Sequence, residues 1–193
     1  MARKWLVGTL AVAALAAASA GSARAQVFTP TFQSPRLTND IGVYLSDSDP
    51  GDLSLEGIWR GGPFGLRVGL VDAGDDLLSI GGELRSPLLL AGAPVSLAFT
   101  AGAQALIGDA EAFGVQGGLS AGYTFNSPGL AVTPYIHPRI GLINGLPEDD
   151  DLEVEVMADL GVDVEFAPRF ILRFGANLGD VGADWGIGLA WRQ

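Results

Sequence analysis

His137 is the only histidine of the chain and sits in Tyr135-Ile136-His137-Pro138-Arg139. An imidazole changes charge near neutral pH, which suits it to general-base work, proton relay or metal ligation. A hydroxyl nucleophile would need a serine within its reach, and none stands two residues from His137. Carboxylates are more plentiful: Glu153, Glu155, Asp159, Asp163 and Glu165 recur at odd positions of one run, with Glu56 and Glu83 before it. Arg67, Arg85, Arg139 and Arg173 are the cations that could pair with them. The hard oxygens of Asp47-Ser48-Asp49 and of Glu148 to Asp151 could attract divalent cations such as Ca²⁺, although neither has the full spacing of a calcium loop. No catalytic group, no resident metal and no cofactor is expected, and the chain reads as a protein other than an enzyme. His137 is then a structural group bonded to a neighbouring carboxylate.

The elements that carry these charges are strands. From Leu152 to Phe166 every even position is apolar and most odd ones are acidic or small. Strand side chains alternate between faces, so this run has one apolar face and one acidic face. The same alternation recurs about ten times, with eight strands as the alternative count. The segments are Asp40 to Ser46, Leu53 to Arg60, Phe64 to Asp72, Leu77 to Leu88, Val95 to Ile107, Ala112 to Phe125, Ala131 to Leu142, Leu152 to Phe166, Phe170 to Asn177 and Trp185 to Trp191. Turn residues separate them, among them Asp49-Pro50-Gly51, Gly61-Gly62-Pro63, Ser127-Pro128-Gly129 and Asn144-Gly145. The fold class expected is all-β, an antiparallel up-and-down barrel in one domain.

The polar face decides which side is inside. Soluble surfaces carry roughly a quarter to a third charged residues of mixed sign. Here that face is mostly Gly, Ser, Thr and Gln, and Lys4 is the single lysine. Glycine is poor in an exposed strand but suits a crowded concave lumen. The expected arrangement puts the apolar face outward into lipid. Glu56, Arg67, Glu83, Arg85, His137, Arg139, Glu153, Glu155, Asp159, Asp163, Glu165 and Arg173 then form a charge network in the lumen. Such a lumen is either a salt-bridged plug or a narrow, acidic, cation-preferring pore.

The connections give an independent test, because alternate turns of an up-and-down barrel lie at opposite ends. Odd-numbered connections hold Asp47, Asp49, Asp52, Asp72, Asp75, Asp76, Asp109, Glu111, Glu148 to Asp151 and Asp180; even-numbered ones hold Arg60, several prolines and Arg169. One rim is therefore acidic. Trp59, Phe64, Tyr123, Phe125, Phe166, Phe170 and Trp191 fall on the outward face beside the other rim, as an interfacial aromatic girdle would. Phe113 and Trp185 belong near the opposite interface.

Export is expected as well. Arg3-Lys4, the apolar stretch Trp5 to Ala18 and Ala23-Arg24-Ala25 read as a signal peptide over residues 1–25. Residues 26–38 read as an irregular lead-in and 39–193 as the barrel domain. No later run approaches the roughly 20 apolar residues of a membrane helix, so a membrane-spanning form must be a closed barrel. There is no cysteine among 193 residues, and the formal charge is −11. Loss of Arg3, Lys4 and Arg24 would make the mature chain more negative still, which excludes nucleic acid as a natural partner.

With these residues in view, the chain resembles the small outer-membrane β-barrel proteins of Gram-negative bacteria, of the opacity-protein and OmpA-barrel type. Asp184-Trp185-Gly186-Ile187-Gly188-Leu189-Ala190-Trp191 is similar to the last-strand signal read by the barrel-assembly machinery. The resemblance makes Gly186, Leu189 and Trp191 the assembly signal, and outer-membrane lipid and that machinery the partners. Two departures stand out: Arg192-Gln193 follow the terminal aromatic, and the connections at the acidic rim are short. The competing class is a soluble periplasmic, lipocalin-like barrel that binds a small apolar ligand.

Overall fold

The computed structural model describes residues 30–49, 52–72, 76–89, 94–108, 111–144, 152–178 and 185–193. The signal peptide, residues 26–29, Asp184 and the tips of the acidic connections lie outside the described residues. The strands are β1 (Asp40–Asp49), β2 (Asp52–Gly61), β3 (Phe64–Asp72), β4 (Asp76–Leu88), β5 (Ser96–Ile107), β6 (Ala112–Gly122), β7 (Phe125–Ser127), β8 (Leu130–Asn144), β9 (Glu153–Phe166), β10 (Phe170–Leu178) and β11 (Trp185–Arg192). All pairings are antiparallel between chain neighbours, and the circle closes through β1 with β11 and β6 with β8. β7 is a three-residue flap hydrogen-bonded only to β8, so the barrel has ten strands, as the alternation predicts.

Most strand ends lie one to three residues from those of the sequence reading, and one expected strand is divided. The run Ala112 to Phe125 is not one strand: β6 ends at Gly122, and Tyr123-Thr124 separates it from β7. The alternation passes unbroken through the gap, with Tyr123 and Phe125 both facing out, so periodicity alone carries no mark of the break.

Which face is inside is unambiguous. Leu66, Val68 and Leu70 of β3 and Val154 and Val156 of β9 are exposed, Val156 at 72%, while Arg60, Arg85 and Arg173 are at 0%. Register links the outer faces into lateral rows, one of them Phe166, Phe170, Trp191, Ile41, Trp59 and Leu66. Three of the aromatics proposed as a girdle are thus side-by-side neighbours, with Phe166 and Phe170 stacked and Phe170 edge-on to Trp191. Trp59, Phe64, Tyr123 and Phe125 continue the exposed aromatic set. Trp185, at the other end, donates its indole N–H to Asp47.

Inside, large and small side chains alternate around the wall. One inner row reads Arg173, Gly188, Tyr44, Glu56, Gly69 and Ser79, and another pairs Tyr135 with Gly161. A Cβ at Gly161 would overlap the Tyr135 ring, and one at Gly188 the Tyr44 ring. These glycines make room for buried aromatic rings in a barrel barely wider than its own side chains.

Candidate functional site

The lumen is filled by the wall's own side chains and by the lead-in. Residues 30–35 are buried and irregular, and they run inside the barrel before the chain enters β1. Phe32 adopts a left-handed φ of 52°, a conformation that costs a bulky residue about 1–3 kcal/mol and persists only where the surroundings impose it. Its ring packs 4.7 Å from the Tyr44 ring and lies where Gly175 and Gly186 lack a side chain. Gly186 therefore has a packing role besides its place in the last-strand motif.

Three charged nodes hold this segment. Arg173 forks onto Asp40 at 2.9 and 2.8 Å and also donates to Tyr44 Oη and Thr38 Oγ1; Asp163 lies 3.5 Å away. Arg60 donates to Glu83 at 2.6 Å, to Tyr44 Oη and to the Thr31 carbonyl, while Arg85, 3.7 Å from Glu83, donates to the carbonyls of Ser34 and Arg36. Gln33 donates to the other Glu83 oxygen. Asp159 accepts from Arg139 at 2.9 Å and from the Thr31 hydroxyl at 2.6 Å, and it lies 3.2 Å from His137 Nδ1. His137 Nε2 sits 2.7 Å from Thr100 Oγ1. A further polar group joins Glu56 to Ser79, Gln104 and Arg67.

Most residues assigned to the lumen network are there. Glu56, Arg67, Glu83, Arg85, His137, Arg139, Asp159, Asp163 and Arg173 are buried, and the carboxylate beside His137 is Asp159. Glu153 and Glu155 point inward but are only half-buried. Glu165 does not join the network: it stands near the non-acidic rim, bridging Arg36 and Arg192 at 2.7 and 2.6 Å.

Three features escaped the sequence reading. Arg60, read as the end of a strand and counted with the connection after it, is buried and paired with Glu83. Asp40 and Tyr44 share Arg173. Toward the acidic end the lumen holds a cluster of buried apolar side chains, Val71, Leu77, Leu106, Ala112, Ile143 and Met157, where a polar interior was expected. Apolar doublets mark that place in the sequence: Leu70-Val71, Leu77-Leu78, Leu106-Ile107 and Leu142-Ile143. In a strand such a doublet makes both faces apolar at one level.

Chemically, the site holds charge in place. A small inner cavity bordered by Gln33, Arg67, Glu83, Gln104 and Gln116 measures about 10 Å³, room for one water at most. Among the described residues no group of three His, Asp or Glu side chains is arranged to hold a metal ion. The buried cations Arg60, Arg67, Arg85, Arg139 and Arg173 face the buried anions Asp40, Glu56, Glu83, Asp159 and Asp163, so the acidic excess expected from the sequence is absent from the barrel's middle. Comparisons with protein-family models, with curated proteins and with solved structures found no match to this chain.

Proposed function

We propose that this protein is an integral outer-membrane β-barrel whose role is structural and whose lumen does not conduct. The observation that carries the reading is the inversion of the usual soluble pattern: a continuous apolar wall faces out while five arginines are buried. Exposed apolar surface on that scale marks contact with a partner or with lipid, and alternation of apolar-out with polar-in is the membrane-barrel pattern. Strands of 8–15 residues around the circle match the roughly 9–11 residues that cross a bilayer when tilted. The aromatic row beside one rim fits an interfacial girdle. The exported leader, the likeness to the small Gram-negative barrels, and Leu189 and Trp191 as the signal to the assembly machinery belong to the same reading.

The soluble alternative, a periplasmic barrel with an apolar ligand inside, requires an open apolar interior. Five buried arginines with their carboxylate partners and the lead-in bonded among them fill the space that such a ligand would need. The narrow cation-preferring pore is disfavoured on two counts: the lead-in occupies the middle of the lumen, and an apolar cluster occupies its acidic end.

Electrophoresis of a detergent-solubilised sample with and without boiling tests the reading. A folded membrane barrel shifts mobility on boiling, and protein that partitions into the soluble periplasmic fraction with no shift refutes the proposal. Planar-bilayer recording of the inserted protein should show no conductance above baseline.

A further inference from the structure

Residues 30–38 take no part in the strand pairings that close the barrel, and the wall's buried charges are matched without them. Each of the five lumen arginines has a wall carboxylate within 3.7 Å: Arg60 and Arg85 share Glu83, Arg67 faces Glu56, Arg139 faces Asp159 and Arg173 faces Asp40. What the lead-in offers two of these arginines is neutral, the carbonyls of Thr31, Ser34 and Arg36. Withdrawing the lead-in therefore leaves every lumen arginine beside a carboxylate, and avoids the stranded charge that makes breaking a buried pair so costly.

The segment is fixed at two levels. Deep in the lumen the Phe32 ring packs on Tyr44. Were Gly175 to carry a Cβ, the three atoms nearest it outside its chain neighbours would all belong to Pro30 and Phe32, the closest at 3.2 Å. That glycine makes room for the lead-in and for no other part of the wall. At the non-acidic rim Glu165 receives Arg36 of the lead-in at 2.7 Å and Arg192 of β11 at 2.6 Å, and the Gln193 N–H donates to the Asn39 carbonyl at 2.9 Å. Arg192 and Gln193, the two residues past the terminal aromatic, thus clasp the base of the lead-in. Both arginine side chains are about a third exposed, so the clasp is a weak one.

We propose that residues 30–38 are a separable plug, a segment that leaves the lumen through the non-acidic rim while the ten-strand wall stays folded. The proposal rests on the filled, non-conducting lumen proposed above. The segment joins β1 at Asp40, which shares its cross-strand row with Arg192 and Arg60 at that rim, and the apolar cluster lies toward the other end. Release lets Phe32 relax from its left-handed backbone. The space it vacates is a polar pocket lined by Tyr44, Arg60, Glu83, Arg85, His137 and Asp159.

A single thiol reports on release, because the chain has no cysteine. Ser34 is buried and its hydroxyl makes no hydrogen bond among the described residues, so Ser34→Cys disturbs little. In the parent carrying that change, the labelling rate with a charged, water-soluble thiol reagent measures how often the lead-in is out, and heat-shifted mobility measures the wall. Phe32→Ala removes the deep anchor and should speed labelling about a hundredfold or more. Gly175→Val should act in the same direction, and Glu165→Gln, which opens only the clasp, by about twofold to fivefold. All three should keep the heat shift; if Gly175→Val does not fold, Phe32→Ala decides. Equal labelling rates in Phe32→Ala and parent, or labelling that rises only in step with loss of heat-shifted protein, overturns the plug. A parent that conducts in planar bilayers overturns the filled lumen on which it rests.

Discussion

Replacing Thr31 by Val and Asp159 by Asn, singly and together, probes the lead-in where it meets the wall. The Thr31 hydroxyl donates to Asp159 at 2.6 Å, with both residues buried. A hydrogen bond to a charged group contributes about 1.5–3 kcal/mol, so Thr31→Val should lower stability by that much. Asp159→Asn removes the charge that faces Arg139 at 2.9 Å; breaking a buried ion pair costs about 3–5 kcal/mol, and the retained amide oxygen softens that figure. Each single change removes the same bond, so the double variant should be about 1–2 kcal/mol more stable than additivity implies. Urea titration in detergent micelles, with the folded fraction read from heat-shifted mobility, measures all four proteins. Additivity within about 0.5 kcal/mol would mean that Thr31 and Asp159 do not touch, and the account of a lumen filled by its own lead-in would fail.

Other outcomes follow from the wall and the rims. Gly161→Val forces a side chain into the Tyr135 ring and should cost at least the roughly 1–3 kcal/mol of ordinary overpacking, whereas Gly117→Ala, with its nearest neighbour at 3.8 Å, should stay within about 0.5 kcal/mol; the same urea titration separates them. Trp191→Ser should abolish heat-modifiable protein in the outer membrane, as seen by fractionation and immunoblot, if the last strand is the assembly signal. An epitope between Glu148 and Asp151 should be labelled on intact cells, with the acidic rim outside and both termini periplasmic, and labelling only after the outer membrane is breached would reverse that orientation.

The barrel was legible because it is written with period two: Leu152 to Phe166 alone assigns a face to every residue of β9, and the structure keeps that parity. Parity also placed His137, Arg139, Asp159 and Asp163 in the lumen. Four lumen arginines followed, but which carboxylate each of them meets did not. Arg60 precedes Gly61-Gly62-Pro63, and turn chemistry concealed that its side chain reaches back to Glu83. The lead-in was legible only as irregular. Pro30 and Pro35 break any period, and a short polar stretch reads the same on a surface as in a lumen. Its burial depends on wall glycines at 175 and 186, contacts between residues more than a hundred positions apart. The apolar cluster toward the acidic end was visible as doublets, but alternation draws attention to whichever face stays constant.

The outward apolar wall in contact with lipid is the central claim, and the absence of cysteine makes it directly measurable. Single cysteines at each of residues 153 to 158 of β9, labelled with a nitroxide in reconstituted vesicles, report accessibility to oxygen and to a water-soluble nickel chelate. Val154, Val156 and Ala158 should be reached by oxygen and protected from nickel, with Glu153, Glu155 and Met157 low in oxygen, a period of two in register with the alternation. Nickel accessibility at Val154 and Val156 in the vesicle-bound protein would mean that this face meets water, and the membrane barrel would be wrong.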